Sequence, residues 1–244
     1  MKIAQRLGAR NCDARANRPV IIACLGDSVT HGCFEVFKDR FGHIETEYRP
    51  EQGYTARLQR RLRAIAPTCA ANVIDCGISG DNARGGLERL ERDVLSLKPD
   101  LVIVNFGLND SMFENVDSGV AMYERSMRSI FEKILASGAE AILLTPNRMC
   151  SYVSHQVLDP NDIWNPIAKA AANIQNNGIL DRYVNAARAV AKELNVPVAD
   201  AYARWCAMEE NGIDTTRLLA NAINHPNEDM HDIFADKILD AIFA

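Results

Sequence analysis

Four short apolar runs, at 20–25, 71–75, 101–105 and 141–144, each break off into turn-forming residues, with stretches of helical spacing between them. A run of this length flanked by Gly, Pro, Asn or Asp reads as a buried strand. Tyr54, Leu58, Leu62 and Ile65 keep helical spacing after the first run, and Leu87, Leu90, Val94 and Leu97 after the second. Met127, Ile130, Phe131, Ile134 and Leu135 line a third helical face that Gly138 can end, and Tyr183, Ala187, Val190 and Leu194 a fourth. A short fifth strand is predicted at 196–199, and Ile233, Phe234, Ile238 and Ile242 mark a closing helix. Strands alternating with helices predict an α/β fold, with about five parallel strands covered by helices on both faces. In such a sheet, ligands bind beyond the carboxyl ends of the strands.

A chain of 244 residues suits one domain over 1–244, with 1–18 expected as an N-terminal extension. Two segments exceed the short connections of this architecture: 34–53, rich in charge and aromatics, and 146–178, with His155 and Trp164. Both are expected as long loops at a site rim, either lids or mere insertions. The 27 basic and 32 acidic residues are dispersed, so no extended positive field is available to nucleic acid. Seven cysteines without metal-type spacing are expected as reduced thiols, and no metal or cofactor is expected. No apolar run has the length of a secretory signal or a membrane span, which leads to a cytoplasmic, membrane-free expectation. A homo-oligomer stays open.

Turn residues recur after three successive strands: Gly26-Asp27-Ser28, Gly77-Ile78-Ser79-Gly80 and Gly107-Leu108-Asn109-Asp110. A parallel sheet puts all three on one edge. Ester hydrolysis needs a hydroxyl nucleophile, a base for its proton, and donors for the oxyanion. Ser28 can supply the nucleophile, while the N–H groups of Ser28 and Gly80 and the amide of Asn109 can supply the donors. His225, in Asn224-His225-Pro226-Asn227 before the closing helix, is the candidate base. A small-molecule ester is the expected partner.

With these residues in place, the chain resembles the SGNH-hydrolase, or GDSL-type esterase and lipase, superfamily over most of its length. Its first block is matched by Gly26-Asp27-Ser28-Val29-Thr30-His31-Gly32, its second by Gly80, its third by Gly107-Leu108-Asn109-Asp110 and its fifth by His225-Pro226-Asn227. The resemblance implies a flavodoxin-like three-layer sandwich, a serine nucleophile, and ester or thioester substrates. One position departs: the aspartate usual three residues before the histidine is Ala222 here. Asn221, Asn224, a backbone carbonyl or a water could orient the imidazole instead, as could Asp200, Glu228 or Asp229. Acetylated carbohydrate is the leading substrate by analogy, with short-chain lipid or aryl esters as the alternative.

Other readings compete at single residues. Asp27 and Asp110 are expected to accept backbone N–H groups and not to catalyse. His31, three residues from Ser28, is expected at the rim. His231 is expected in the first turn of the last helix, with Asn227 capping, because its spacing from His225 fits no common zinc pattern. A catalytically weak binding protein for acylated carbohydrate is the rival of another class. A nucleotide site at Gly77, Gly80, Gly85 and Gly86 lacks the spacing of a phosphate loop.

Overall fold

The computed structural model describes residues 1–159 and 163–244. Helix α1 (Lys2–Cys12) leads into strand β1 (Val20–Gly26), and a hairpin, β2 (Cys33–Lys38) with β3 (Ile44–Tyr48), follows. Next come α2 (Tyr54–Ile65), β4 (Ala71–Gly77), α3 (Ala83–Asp93), β5 (Leu101–Asn105), α4 (Val116–Ala136) and β6 (Glu140–Leu144). The chain continues through α5 (Trp164–Asn176), α6 (Ile179–Glu193), β7 (Val198–Ala199), α7 (Ala201–Glu210) and α8 (His231–Phe243).

Five strands pair in parallel in the order β4-β1-β5-β6-β7, as the alternation predicts. Strand side chains alternate between faces, and both faces here are apolar. Ile22 and Cys24, Leu101 and Ile103, and Ile142 and Leu144 enter one core with α1, α2, α7 and α8. Ala23 and Leu25, Val102 and Val104, and Ala141 and Leu143 enter the other with α3, α4 and α6. Burying each Leu or Ile fully stabilises the fold by roughly 1.5–3 kcal/mol. From β1 the chain pairs first with β4 on one side and then with β5 on the other, so a crevice opens beyond the carboxyl end of β1. Ser28 stands there. Among the described residues no helix is long and apolar enough to cross a membrane.

Several segments depart from the sequence reading. The expected extension at 1–18 contains α1, which buries Ile3 and Leu7 one turn apart. Its first N–H groups, on Lys2 and Ile3, donate to the Glu140 carboxylate at 2.9 and 2.6 Å, which satisfies donors a helix start leaves unpaired. Most of the expected loop at 34–53 is the β2–β3 hairpin, paired from Lys38↔Ile44 to Cys33↔Tyr48. The expected loop at 146–178 holds α5, although 160–162 lie outside the described residues. Helix α5 buries mostly small or polar residues, Ala168, Ala171, Ala172 and Gln175, beside Ile174, and carries Pro166 in its first turn, where an N–H would have no intrahelical acceptor. Helix α7 fills 201–210, a stretch with no predicted element.

Candidate active site

Ser28 lies two residues past β1 in a tight turn. Asp27 O accepts from His31 N–H at 3.0 Å, Ser28 O accepts from Cys33 N–H at 2.9 Å, and the Asp27 carboxylate accepts from Val29 N–H at 3.0 Å. The turn presses against the end of β4, where a Cβ on Gly77 would come within 2.4 Å of His31 N; only glycine fits. Arg89, which the sequence reading did not single out, locks these strand ends together. Its guanidinium donates to Gly26 O at 2.9 Å, Cys76 O at 2.6 Å and the Asp81 carboxylate at 2.7 Å.

His225 arrives on a loop folded back on itself. Asn221 Oδ1 accepts three N–H groups, from Ile223, Asn224 and His225, at 2.9–3.0 Å. Leu219 and Pro226 form an antiparallel bridge, and Asn147 Nδ2 donates to Asn224 O at 2.8 Å. The imidazole is thereby held with Nε2 2.9 Å from Ser28 Oγ and Nδ1 3.1 Å from the backbone carbonyl of Phe34, on β2. A carbonyl only accepts, so Nδ1 carries the hydrogen and the Nε2 lone pair faces the serine hydroxyl. Burial pulls the imidazole pKa down to about 4, against the Phe34 hydrogen bond, so the ring is neutral at pH 7.

Of the candidates for orienting His225, the backbone carbonyl is the one in place. Asn221 holds the loop's backbone, not the ring, and its amide donates to Asn224 Oδ1 at 2.9 Å. Asp200 caps α7 and is held by Arg188 and Thr145 at 2.7–3.0 Å, away from the imidazole. Burial opposes its charge most strongly, but Arg188, the Ala203 N–H and the Thr145 hydroxyl together outweigh it and keep the carboxyl below its ordinary range. Glu228 pairs with Arg49, and Asp229 lies in the turn before α8. Ala222 takes a left-handed backbone (φ 54°) and lines a cleft with Tyr152, Ser154 and Thr216. No residue-level signal could have marked Phe34, since every residue has a carbonyl.

The three strand-end turns lie against one another, with Ile78 N–H donating to Gly26 O at 3.1 Å. Gly80 has φ 80°, and neither its N–H nor that of Ser28 has an acceptor among the described residues. Asn109 Nδ2 donates one hydrogen to Asp81 O at 2.7 Å, which fixes the amide plane and leaves the second hydrogen unspent. Asp27 and Asp110 are both pushed up to about 7, chiefly by burial, and each accepts a backbone N–H, from Val29 and Ala83 respectively. His31 is half-buried: its Nδ1 accepts from Ser79 N–H at 3.3 Å and its ring packs 4.6 Å from Tyr48. His231 begins α8 fully buried, accepting from Tyr54 N–H at 3.1 Å, and burial drives its pKa to about 3. Among the described residues no cluster of His, Cys, Asp and Glu could hold a metal. A slot of about 110 Å³ opens beside His225, walled by Val36, Trp164, Ile167 and Ile223.

A hydroxyl facing a neutral imidazole, beside unspent N–H donors at the carboxyl edge of a parallel sheet, is an arrangement suited to acyl transfer. The comparisons agree with that class. The model of the GDSL-like lipase/acylhydrolase family matches residues 24–233. Esterase TesA of Pseudomonas aeruginosa is 34% identical over 93 residues, 38% of this chain, and the match spans only 44% of TesA. An acetylxylan esterase of Geobacillus stearothermophilus is 28% identical over 171 residues, 64% of this chain and 73% of its own length. The crystal structure of the acetyl xylan esterase AlAXEase superposes with a TM-score of 0.67 at 22% identity, covering 91% of this chain and 99% of that one. The chain belongs to the GDSL-like lipase/acylhydrolase family. It is a carboxylic ester hydrolase.

Proposed function

We propose that this enzyme is a serine esterase that removes small acyl groups, acetyl foremost, from carbohydrate. The observation that carries the reading is the 2.9 Å contact between His225 Nε2 and Ser28 Oγ, with Nδ1 committed to Phe34 O. Ser28 Oγ attacks the ester carbonyl carbon and its proton passes to Nε2. The oxyanion is held by the Ser28 and Gly80 N–H groups and the free amide hydrogen of Asn109. Collapse breaks the bond to the alcohol, which takes the proton from Nε2 and leaves acyl-Ser28. Water then attacks, its proton going to Nε2, and the acid departs as Ser28 recovers its proton. Through both halves the Phe34 carbonyl accepts from Nδ1–H, stabilising the imidazolium as a triad carboxylate would, with a dipole in place of a charge.

We read the slot beside His225 as the acyl site, and its size, about 110 Å³ against roughly 300–1,000 Å³ for pockets that take drug-sized ligands, favours acetyl. The acetylxylan esterase among the relatives points to the same class. p-Nitrophenyl esters from acetate to dodecanoate, together with acetylated xylo-oligosaccharides, test it. Acetate esters are expected to turn over fastest, with free acetate released from the oligosaccharides. A rate that rises with chain length, or intact oligosaccharide acetates, would overturn the substrate assignment. Asn109→Ala is expected to lower kcat about 10²–10³-fold with KM little changed, because the donor acts on charge that exists only in the transition state.

A further inference from the structure

The acceptor and donor of the bond that orients His225 belong to segments far apart in sequence, and one side chain grips both. Phe34 lies on a two-stranded hairpin whose strands pair with no other strand among the described residues, and such a hairpin has little stability of its own. Arg49, just past β3, stacks its guanidinium carbon 4.4 Å over the centre of the Phe34 ring. The buried imidazole of His231 packs 5.0 Å from the same ring. Arg49 Nη1 also pairs with Glu228, three residues beyond His225, while its Nε approaches Glu47 at 3.4 Å and its N–H donates to Gly32 O at 2.8 Å. The ring contact fixes the residue whose carbonyl accepts, and the Glu228 pair fixes the loop whose imidazole donates.

We propose that Arg49 is a positioning residue that clamps the Phe34 carbonyl onto His225 and so takes over the aligning task of the missing triad carboxylate. A backbone carbonyl cannot follow the imidazole by rotating about a side-chain bond, as an aspartate can. Its aim depends on where the β2 strand sits, and therefore on what holds that strand. The planar guanidinium suits this double task, because it stacks on a ring by its face and pairs with a carboxylate by its edge.

The inference rests on the Ser28–His225 reading, and the experiment separates the two. Wild type, Arg49→Ala, Arg49→Lys and Glu228→Gln are compared for kcat and KM on p-nitrophenyl acetate. The His225 Nδ1–H resonance is followed in parallel by proton NMR on protein with ¹⁵N-labelled histidine, which needs no turnover. Arg49→Ala is expected to lower kcat roughly 10 to 100-fold, the scale of a displaced catalytic group, with KM within about two-fold and the Nδ1–H signal broadened by exchange. Arg49→Lys keeps the charge without the planar stack and is expected in between; Glu228→Gln moves in the same direction by less. Wild-type kcat and an unchanged Nδ1–H signal in folded Arg49→Ala would overturn the clamp, as would a change confined to KM. Should Arg49→Ala not fold, the Lys and Gln variants decide by the same two readouts. A wild type that gives the Nδ1–H signal but no ester turnover contradicts the esterase mechanism, and the NMR comparison still judges the clamp.

Discussion

Ser28→Ala is expected to reduce kcat on p-nitrophenyl acetate by roughly 10⁴ to 10⁶-fold while leaving the fold intact. The substitution removes one oxygen from a side chain in a residue only 4% exposed, and the turn around it is held by backbone bonds that alanine keeps. What disappears is the acyl-enzyme route itself. The N–H donors of residues 28 and 80 and the Asn109 amide remain, so a residual rate above the uncatalysed reaction persists. Steady-state kinetics on purified protein, with circular dichroism as the folding check, measures the effect. A variant within ten-fold of wild type would mean that another group performs the attack.

His225→Ala is expected to cost as much as loss of the serine, since nucleophile and base act as a unit. The wild-type pH profile carries a further signature. The base is the neutral imidazole, so kcat/KM falls as pH drops through the free enzyme's His225 pKa, about 4. No imidazole limb is therefore expected between about pH 5.5 and neutrality, whereas an unperturbed imidazole would put its midpoint near pH 6.5. Across this window the four most shifted groups leave stability nearly level. His225 and His231 are depressed in the folded state, so their contribution to stability is present above pH 6.5 and is lost as pH falls toward their folded values. Asp27 and Asp110 are raised to about 7, so theirs is full below pH 3.8 and is lost as pH rises through 7. Between those limits the unfolded chain protonates the two histidines and the folded chain the two aspartates, and the proton counts nearly cancel. Initial rates from pH 3.5 to 8.5 test the profile, and a midpoint near 6.5 would contradict a desolvated base.

The sheet was legible because both faces of its strands are apolar: runs such as 101–105 have no polar break to confuse their ends. Ser28, Gly80 and Asn109 were legible as strand-end motifs that a parallel topology carries to one edge, and His225 as a motif in the loop before the closing helix. What escaped has physical reasons. Helix α5 buries alanines, whose small side chains give a faint periodic signal, and α7 packs Tyr202 and Trp205 without a marked polar face. The hairpin exposes Phe37, Phe41, Ile44 and Tyr48, so apolar and polar residues do not alternate cleanly along it. Arg89 is a long cation that sequence patterns assign to solvent, yet it is 8% exposed, held by two strand-end carbonyls and the Asp81 carboxylate. The support for His225 is a main-chain atom delivered by that hairpin, and neither its identity nor its reach is written in any single residue.

The most direct test of the mechanism is to treat wild-type enzyme with a fluorophosphonate and map the modified peptide by mass spectrometry. One label per chain on Ser28, abolished in His225→Ala at the same reagent concentration, is the predicted result. A folded wild type that takes no label, or takes it on another residue, would contradict the Ser28–His225 pair as the catalytic centre.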